Sequence, residues 1–208
     1  MARRVALIAL LAALAAVPAA HADGDPASDY LLSQQTFVPP DDGIPAGYAG
    51  QLQATVRDAK ARGYTIRVAL IGTRYDLGAV GVLWKKPTQY ARFLGEELQF
   101  VYKGRLLVVM PNGLAVSEHG KAAPSAQAVV DRIAAPGKSG SALAAAATQA
   151  VVRLAAGAGV VMTPAPLAAS GRSSTGASAT RDRITIAIGA LLVATLAAAG
   201  VFFGRRRT

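Results

Sequence analysis

The stretch Thr65-Ile66-Arg67-Val68-Ala69-Leu70-Ile71-Gly72 decides the fold. Its β-branched, nearly unbroken apolar run reads as an inner strand covered on both faces, since a strand with one wet face would alternate. Gly72 ends it. A strand of this kind needs helices on both sides, and the flanking sequence supplies them. Upstream, Tyr48, Leu52, Val56 and Ala59 form one stripe at helical spacing, Gln53, Arg57 and Asp58 fall elsewhere, and Gly63 supplies a stop. Downstream, Pro87-Thr88 opens a helix in which Tyr90, Phe93, Leu94, Leu98 and Val101 share a face. Between strand and helix, Asp76 to Trp84 is ambiguous because Gly78 and Gly81 interrupt an apolar run.

Further along, Arg105 to Met110 reads as a second strand. Pro111-Asn112-Gly113 then turns the chain into a short third strand, Leu114 to Val116. The Asn-Gly pair tolerates positive φ at both positions, as a tight hairpin demands. After Gly120, Ala126, Val129, Val130 and Ile133 mark a third helix. Leu143, Ala147, Val151 and Leu154 mark a fourth, with Ser141 as its expected N-cap. Asp23 to Pro45, with five aspartates and four prolines, reads as an extended lead-in. Crossover helices imply a parallel strand pair and the hairpin an antiparallel edge. The expected fold class is therefore α/β: a mixed-sheet sandwich with flanking helices, followed by a disordered linker and one transmembrane helix.

The two ends set the expected location. Arg3-Arg4, the apolar stretch Val5 to Val17 and the small-residue triplet Ala20-His21-Ala22 follow the order of a signal peptide, so residues 1–22 are expected to be removed. Ile184 to Phe203 offers about 20 uncharged, mostly apolar residues, the length a spanning helix needs. Arg205-Arg206-Arg207 behind it belong on the cytoplasmic side. These arginines also argue against a GPI-type signal, which ends in its hydrophobic tail. The expected organisation is a domain over 23–162 outside the cytoplasm, a linker of Pro, Ala, Ser, Gly and Thr over 163–183, a membrane helix over 184–203 and a basic cytoplasmic tail over 204–208. The abundance of alanine, and of arginine over lysine, suggests a GC-rich bacterial gene, and with the expected topology a bacterial envelope protein.

That organisation changes the meaning of the net charge of +10. Arg3 and Arg4 contribute two, and the six arginines from Arg172 to Arg207 less Asp182 contribute five, which leaves +3 for the domain. Most of the basicity is topogenic, so nucleic acid is not an expected partner. The chain contains no cysteine, which excludes a disulfide framework, thiol catalysis and thiolate metal sites. Stability must come from buried apolar surface, and about 140 residues suffice for that.

Few residues carry legible chemistry. His119 is the only histidine left after signal removal, so a histidine metal cluster is excluded. Ser117, Glu118 and His119 are adjacent, but neighbours in a strand point to opposite faces. Glu96 and Glu97 diverge by about 100° on a helix and read as a solvated face. Asp23, Asp25 and Asp29 lack the glycine and closing glutamate of a calcium loop. Arg74-Tyr75-Asp76 is the best-placed polar cluster, because ligands of open α/β sheets sit beyond the carboxyl ends of strands. Trp84 beside Lys85-Lys86 suits an interface. With Asn112 and His119, these are the interaction candidates. No catalytic, cofactor or metal residue is assigned.

The path from Leu52 through Val68-Ala69-Leu70-Ile71, Tyr90-Ala91-Arg92-Phe93-Leu94 and Leu106-Leu107-Val108-Val109 into the hairpin resembles the TPM domain family. The resemblance covers about Ile44 to Leu154 and rests on element order and hydrophobic pattern. It implies an extracytoplasmic or lumenal domain with an accessory or assembly role beside membrane complexes, and phosphatase activity is claimed for some members. At Phe100-Val101-Tyr102-Lys103-Gly104 this chain departs from the family pattern and lacks acidic residues that would support a metal there. The expected function is a membrane-anchored accessory or binding domain, held in the bilayer by its C-terminal helix and meeting a membrane or envelope protein through the sheet edge, the loop at Arg74 to Asp76 or the turn at Pro111 to Gly113. The alternative is a metal-assisted phosphate-ester hydrolase using Asp76, Glu118 and His119.

Overall fold

Five strands lie side by side in the order in which the chain makes them. The structure, a computed structural model, describes residues 24–167. The elements run α1 (Pro26–Leu31), β1 (Thr36–Phe37), α2 (Ala46–Ala61), β2 (Ile66–Leu70), a 3-10 segment (Tyr75–Leu83), α3 (Pro87–Leu98), β3 (Arg105–Met110), β4 (Gly113–Glu118), β5 (Lys121–Ala122), α4 (Pro124–Val130) and α5 (Gly140–Gly157). β1, β2 and β3 are parallel, while β3–β4 and β4–β5 are antiparallel. This is the expected mixed sheet between helices.

The alternation of β2 and β3 sorts their side chains between two cores, because successive residues of a strand point to opposite faces. Ile66, Val68, Leu70, Leu107 and Val109 meet Leu52 and Val56 of α2 and Leu143, Ala147, Val151 and Leu154 of α5. Ala69, Ile71, Leu106, Val108 and Met110 meet Leu31 of α1 and Tyr90, Leu94 and Leu98 of α3. The unbroken apolar character of Thr65 to Ile71 thus reflects two covered faces. Arg67 is the polar member of this run, and its guanidinium lies 4.2 Å from the centre of the Tyr102 ring.

Several expectations are corrected. The lead-in before Pro45 is not extended throughout: Asp25 precedes helix α1, and Thr36–Phe37 pair in parallel with Val68 and Ala69. Two short elements with little periodicity leave no sequence trace, and packing decides them. The second hairpin strand runs from Gly113 to Glu118, longer than Leu114 to Val116. The third helix ends at Val130, so Ile133 is buried from a loop. Val101 lies beyond the end of α3 and is 60% exposed. Ser139, not Ser141, is the N-cap of α5, and the two hydroxyls bond each other at 2.8 Å.

The hairpin turns are also exchanged. Pro111 and Asn112 connect Met110 to its partner Gly113, and proline cannot adopt the positive φ of a type I′ turn. The positive pair falls instead at His119 (φ 53°) and Gly120 (φ 70°), joining β4 to β5.

Thr163–Leu167, assigned from sequence to the linker, includes a residue tied to α2. Ala165 accepts a bond from Gln51 Nε2 at 2.8 Å, and its N–H donates to Thr55 Oγ1 at 3.0 Å. The expected signal peptide and membrane helix lie outside the described residues. Among the described residues no helix is long and apolar enough to cross a membrane.

Candidate functional site

The parallel strands deliver their carboxyl ends to one side of the molecule, and the chain leaving β2 forms the Gly72–Asp76 loop there. Asp76 Oδ2 accepts from the N–H groups of Gly72 (2.8 Å) and Thr73 (2.7 Å), which closes the loop on its own backbone. Asp42 lies against the same loop. A side chain at Gly72 would overlap its carboxylate. Burial first, then the hydrogen bond and negative charge of Asp76, push Asp42 up from 3.8 to about 7. The buried Asp42 Oδ2 has no hydrogen-bond partner.

The next residues turn outward. Tyr75 is 91% exposed and Val82 70%, while Leu77 between them is fully buried and fixes the segment to the core. Gly78 (φ 48°, ψ −123°) lets the loop fold onto the Gly24 carbonyl, which any side chain there would strike. Arg74, Tyr75, Gly78, Ala79, Gly81 and Val82 surround an open concavity of about 590 Å³. Trp84 is half-buried against the second core. Lys85 takes φ 61°, and its carbonyl accepts from Asn112 Nδ2 at 2.8 Å, so the β3–β4 turn holds the strained residue in place.

Of the sequence candidates, Arg74, Tyr75, Asp76, Trp84 and Asn112 therefore gather at one end of the sheet. His119 does not join them. It is exposed in the β4–β5 turn at the opposite end, where Glu118 pairs with Arg105 at 3.0 Å. Ser117 is buried and donates to the Ala91 carbonyl at 2.7 Å. Asp76, Glu118 and His119 thus form no common site.

Three of the domain's basic residues are engaged within it. Arg62 pairs with Asp58, Arg67 stacks on Tyr102, and Arg105 lies over Tyr64 while it pairs with Glu118. That second end holds a cleft of about 300 Å³ beside Tyr64, Arg105, Glu118 and Ala158. Nearby in the chain, Phe100 is 90% exposed.

Sequence reading missed Asp42, and weighed Asp25 only within a rejected calcium loop. Asp25 Oδ1 accepts the Tyr90 hydroxyl at 2.7 Å, and its burial pushes it up from 3.8 to about 6. Neither residue belongs to a motif: Asp42 is revealed by its approach to the loop after β2, and Asp25 by its bond to Tyr90 of α3. Among the described residues no group of three or more acidic or histidine side chains could hold a metal ion. No family model, curated protein or solved structure matches this chain.

Proposed function

We propose that this chain is a membrane-anchored accessory domain, displayed outside the cytoplasm and assisting protein complexes of the membrane or envelope. The observation that carries this reading is the exposure of Tyr75, Val82, Phe100 and Val101 on a domain whose two cores are complete without them. Exposed large apolar side chains in loops at both ends of a sheet suit docking more than catalysis. The signal-like start and the apolar 184–203 stretch with its trailing arginines support the membrane location and its orientation.

Photocrosslinking groups at positions 75 and 100 of the full chain, activated in intact cells, test the reading. Recovery of one abundant membrane or envelope protein supports it. Crosslinks to no protein at either position would remove the accessory role.

A second reading, a metal-assisted phosphate-ester hydrolase, is favoured by one observation: Asp42 and Asp76 meet at the carboxyl end of β2, where open α/β sheets bind ligands. The Asp76, Glu118 and His119 set does not support it. Calorimetric titration with Mg²⁺ or Ca²⁺ against the wild type and Asp42→Asn decides whether the pair takes a cation.

A further inference from the structure

Three features of the Arg74–Lys86 loop point to the same occupant. The first is its apolar tip, where Tyr75 and Val82 project from either side of a shallow concavity. The second is its charge. Arg74, Lys85 and Lys86 are exposed, and the one acid among them, Asp76, is turned inward onto the Gly72 and Thr73 N–H groups. The third is where the chain leaves the domain. α5 ends beside Tyr64, at the amino end of β2, and the chain then climbs back along α2 until Ala165 is bonded to Gln51 and Thr55. Because α2 begins at the carboxyl end of the sheet, this last strap heads toward the end that carries the loop. Only residues 168–183 separate it from the apolar run that begins at Ile184. Sixteen residues span at most about 55 Å when fully extended.

We infer that the Arg74–Lys86 loop docks onto an anionic lipid surface, with Tyr75 and Val82 entering the interface and Arg74, Lys85 and Lys86 meeting the headgroups. This rests on the proposed membrane anchor and assigns one end of the domain to the bilayer, which leaves the Phe100 end for a protein. Apolar tips gain by leaving water, and cations near an anionic leaflet each add a factor of about five to the docked population. The anchor keeps the loop near the surface, so a weak intrinsic contact suffices.

The chain's single tryptophan makes the test direct, because Trp84 lies within the loop and no other tryptophan competes for the signal. The full chain is reconstituted into vesicles of brominated phosphatidylcholine, alone or with about one-third phosphatidylglycerol. Fluorescence is read from Trp84, and from Tyr75→Trp in a Trp84→Phe background. The expected result is quenching in the anionic vesicles, stronger at position 75. It should fall in about 1 M salt, where the Debye length is only about 3 Å. Lys85→Gln with Lys86→Gln should lower the docked-to-free ratio about 25-fold, and Phe100→Ser should leave it unchanged. No quenching at either position overturns the inference, as does quenching that is equal in neutral vesicles and indifferent to the lysines. Alkaline carbonate extraction of the same vesicles tests the anchor separately. A chain that resists extraction but shows no quenching is anchored without docking, and a chain that is extracted lacks the anchor itself.

Discussion

The Tyr90 hydroxyl donates to Asp25 Oδ1 at 2.7 Å, with both side chains buried, and this bond joins the start of α1 to the first turn of α3. The other oxygen of Asp25 has no partner. Burial is the larger influence on its proton, and the Tyr90 bond only partly offsets it. An acid whose folded pKa is raised from 3.8 to about 6 contributes nothing to the pH dependence below the lower value. It then destabilises the fold progressively as pH rises through that window. The full cost above pH 6 is about 3 kcal/mol as an upper bound.

Asp25→Asn should therefore stabilise the domain at pH 7.5 and leave it nearly unchanged at pH 4. Urea midpoints at the two pH values check this. A loss of stability at pH 7.5 that shrinks at pH 4 would mean instead that the ionised carboxylate is favourably placed.

Gly95 in α3 faces the β4–β5 turn so closely that a Cβ there would lie 2.7 Å from Gly120 Cα and 3.1 Å from Ser117 Oγ. In an exposed helix, glycine to alanine gains about 1 kcal/mol. At this position overpacking of about 1–3 kcal/mol opposes that gain, and Gly95→Ala should lower the thermal midpoint. Gly50, with open space around it, should respond in the ordinary direction and serves as the control.

His119 occupies the left-handed region at φ 53° for the sake of the turn. His119→Gly should raise stability by about 0.5–1 kcal/mol by relieving that conformation. Trp84 quenching in anionic vesicles should be unaffected, since the residue lies at the end of the sheet away from the loop cluster. A gain in stability with loss of quenching would return His119 to the loop site.

Asp76 contributes to the raised pKa of Asp42 through its hydrogen bond and its charge. Asp76→Asn should lower the Asp42 pKa from about 7, leaving burial as the cause of whatever elevation remains. Carboxyl chemical shifts followed through a pH titration measure this. An unmoved Asp42 would show that the two side chains do not communicate.

The central strands were legible because burial on two faces writes a continuous apolar run, and Arg105–Met110 falls where the residues place it. Helices α2 and α3 were legible for the opposite reason, a stripe on one face only. α1, β1 and β5 were not, since two to six residues carry too little periodicity to compete with loop composition. The hairpin was found but its turn chemistry was misassigned, because Pro111 overrides the preference of Asn112-Gly113. Much of the candidate site was readable as Arg74-Tyr75-Asp76 beyond a strand. Its deeper partner Asp42 comes from the other side of α2, and no local pattern links residues 42 and 76.

The most direct test of the accessory role is crosslinking in intact cells, followed by purification of the tagged full-length chain and mass spectrometry of what is attached. The account predicts one abundant membrane or envelope protein, captured through position 100 more strongly than through position 75. Recovery of the chain alone, from cells in which it is anchored, would contradict the account and turn attention to cation binding at Asp42 and Asp76.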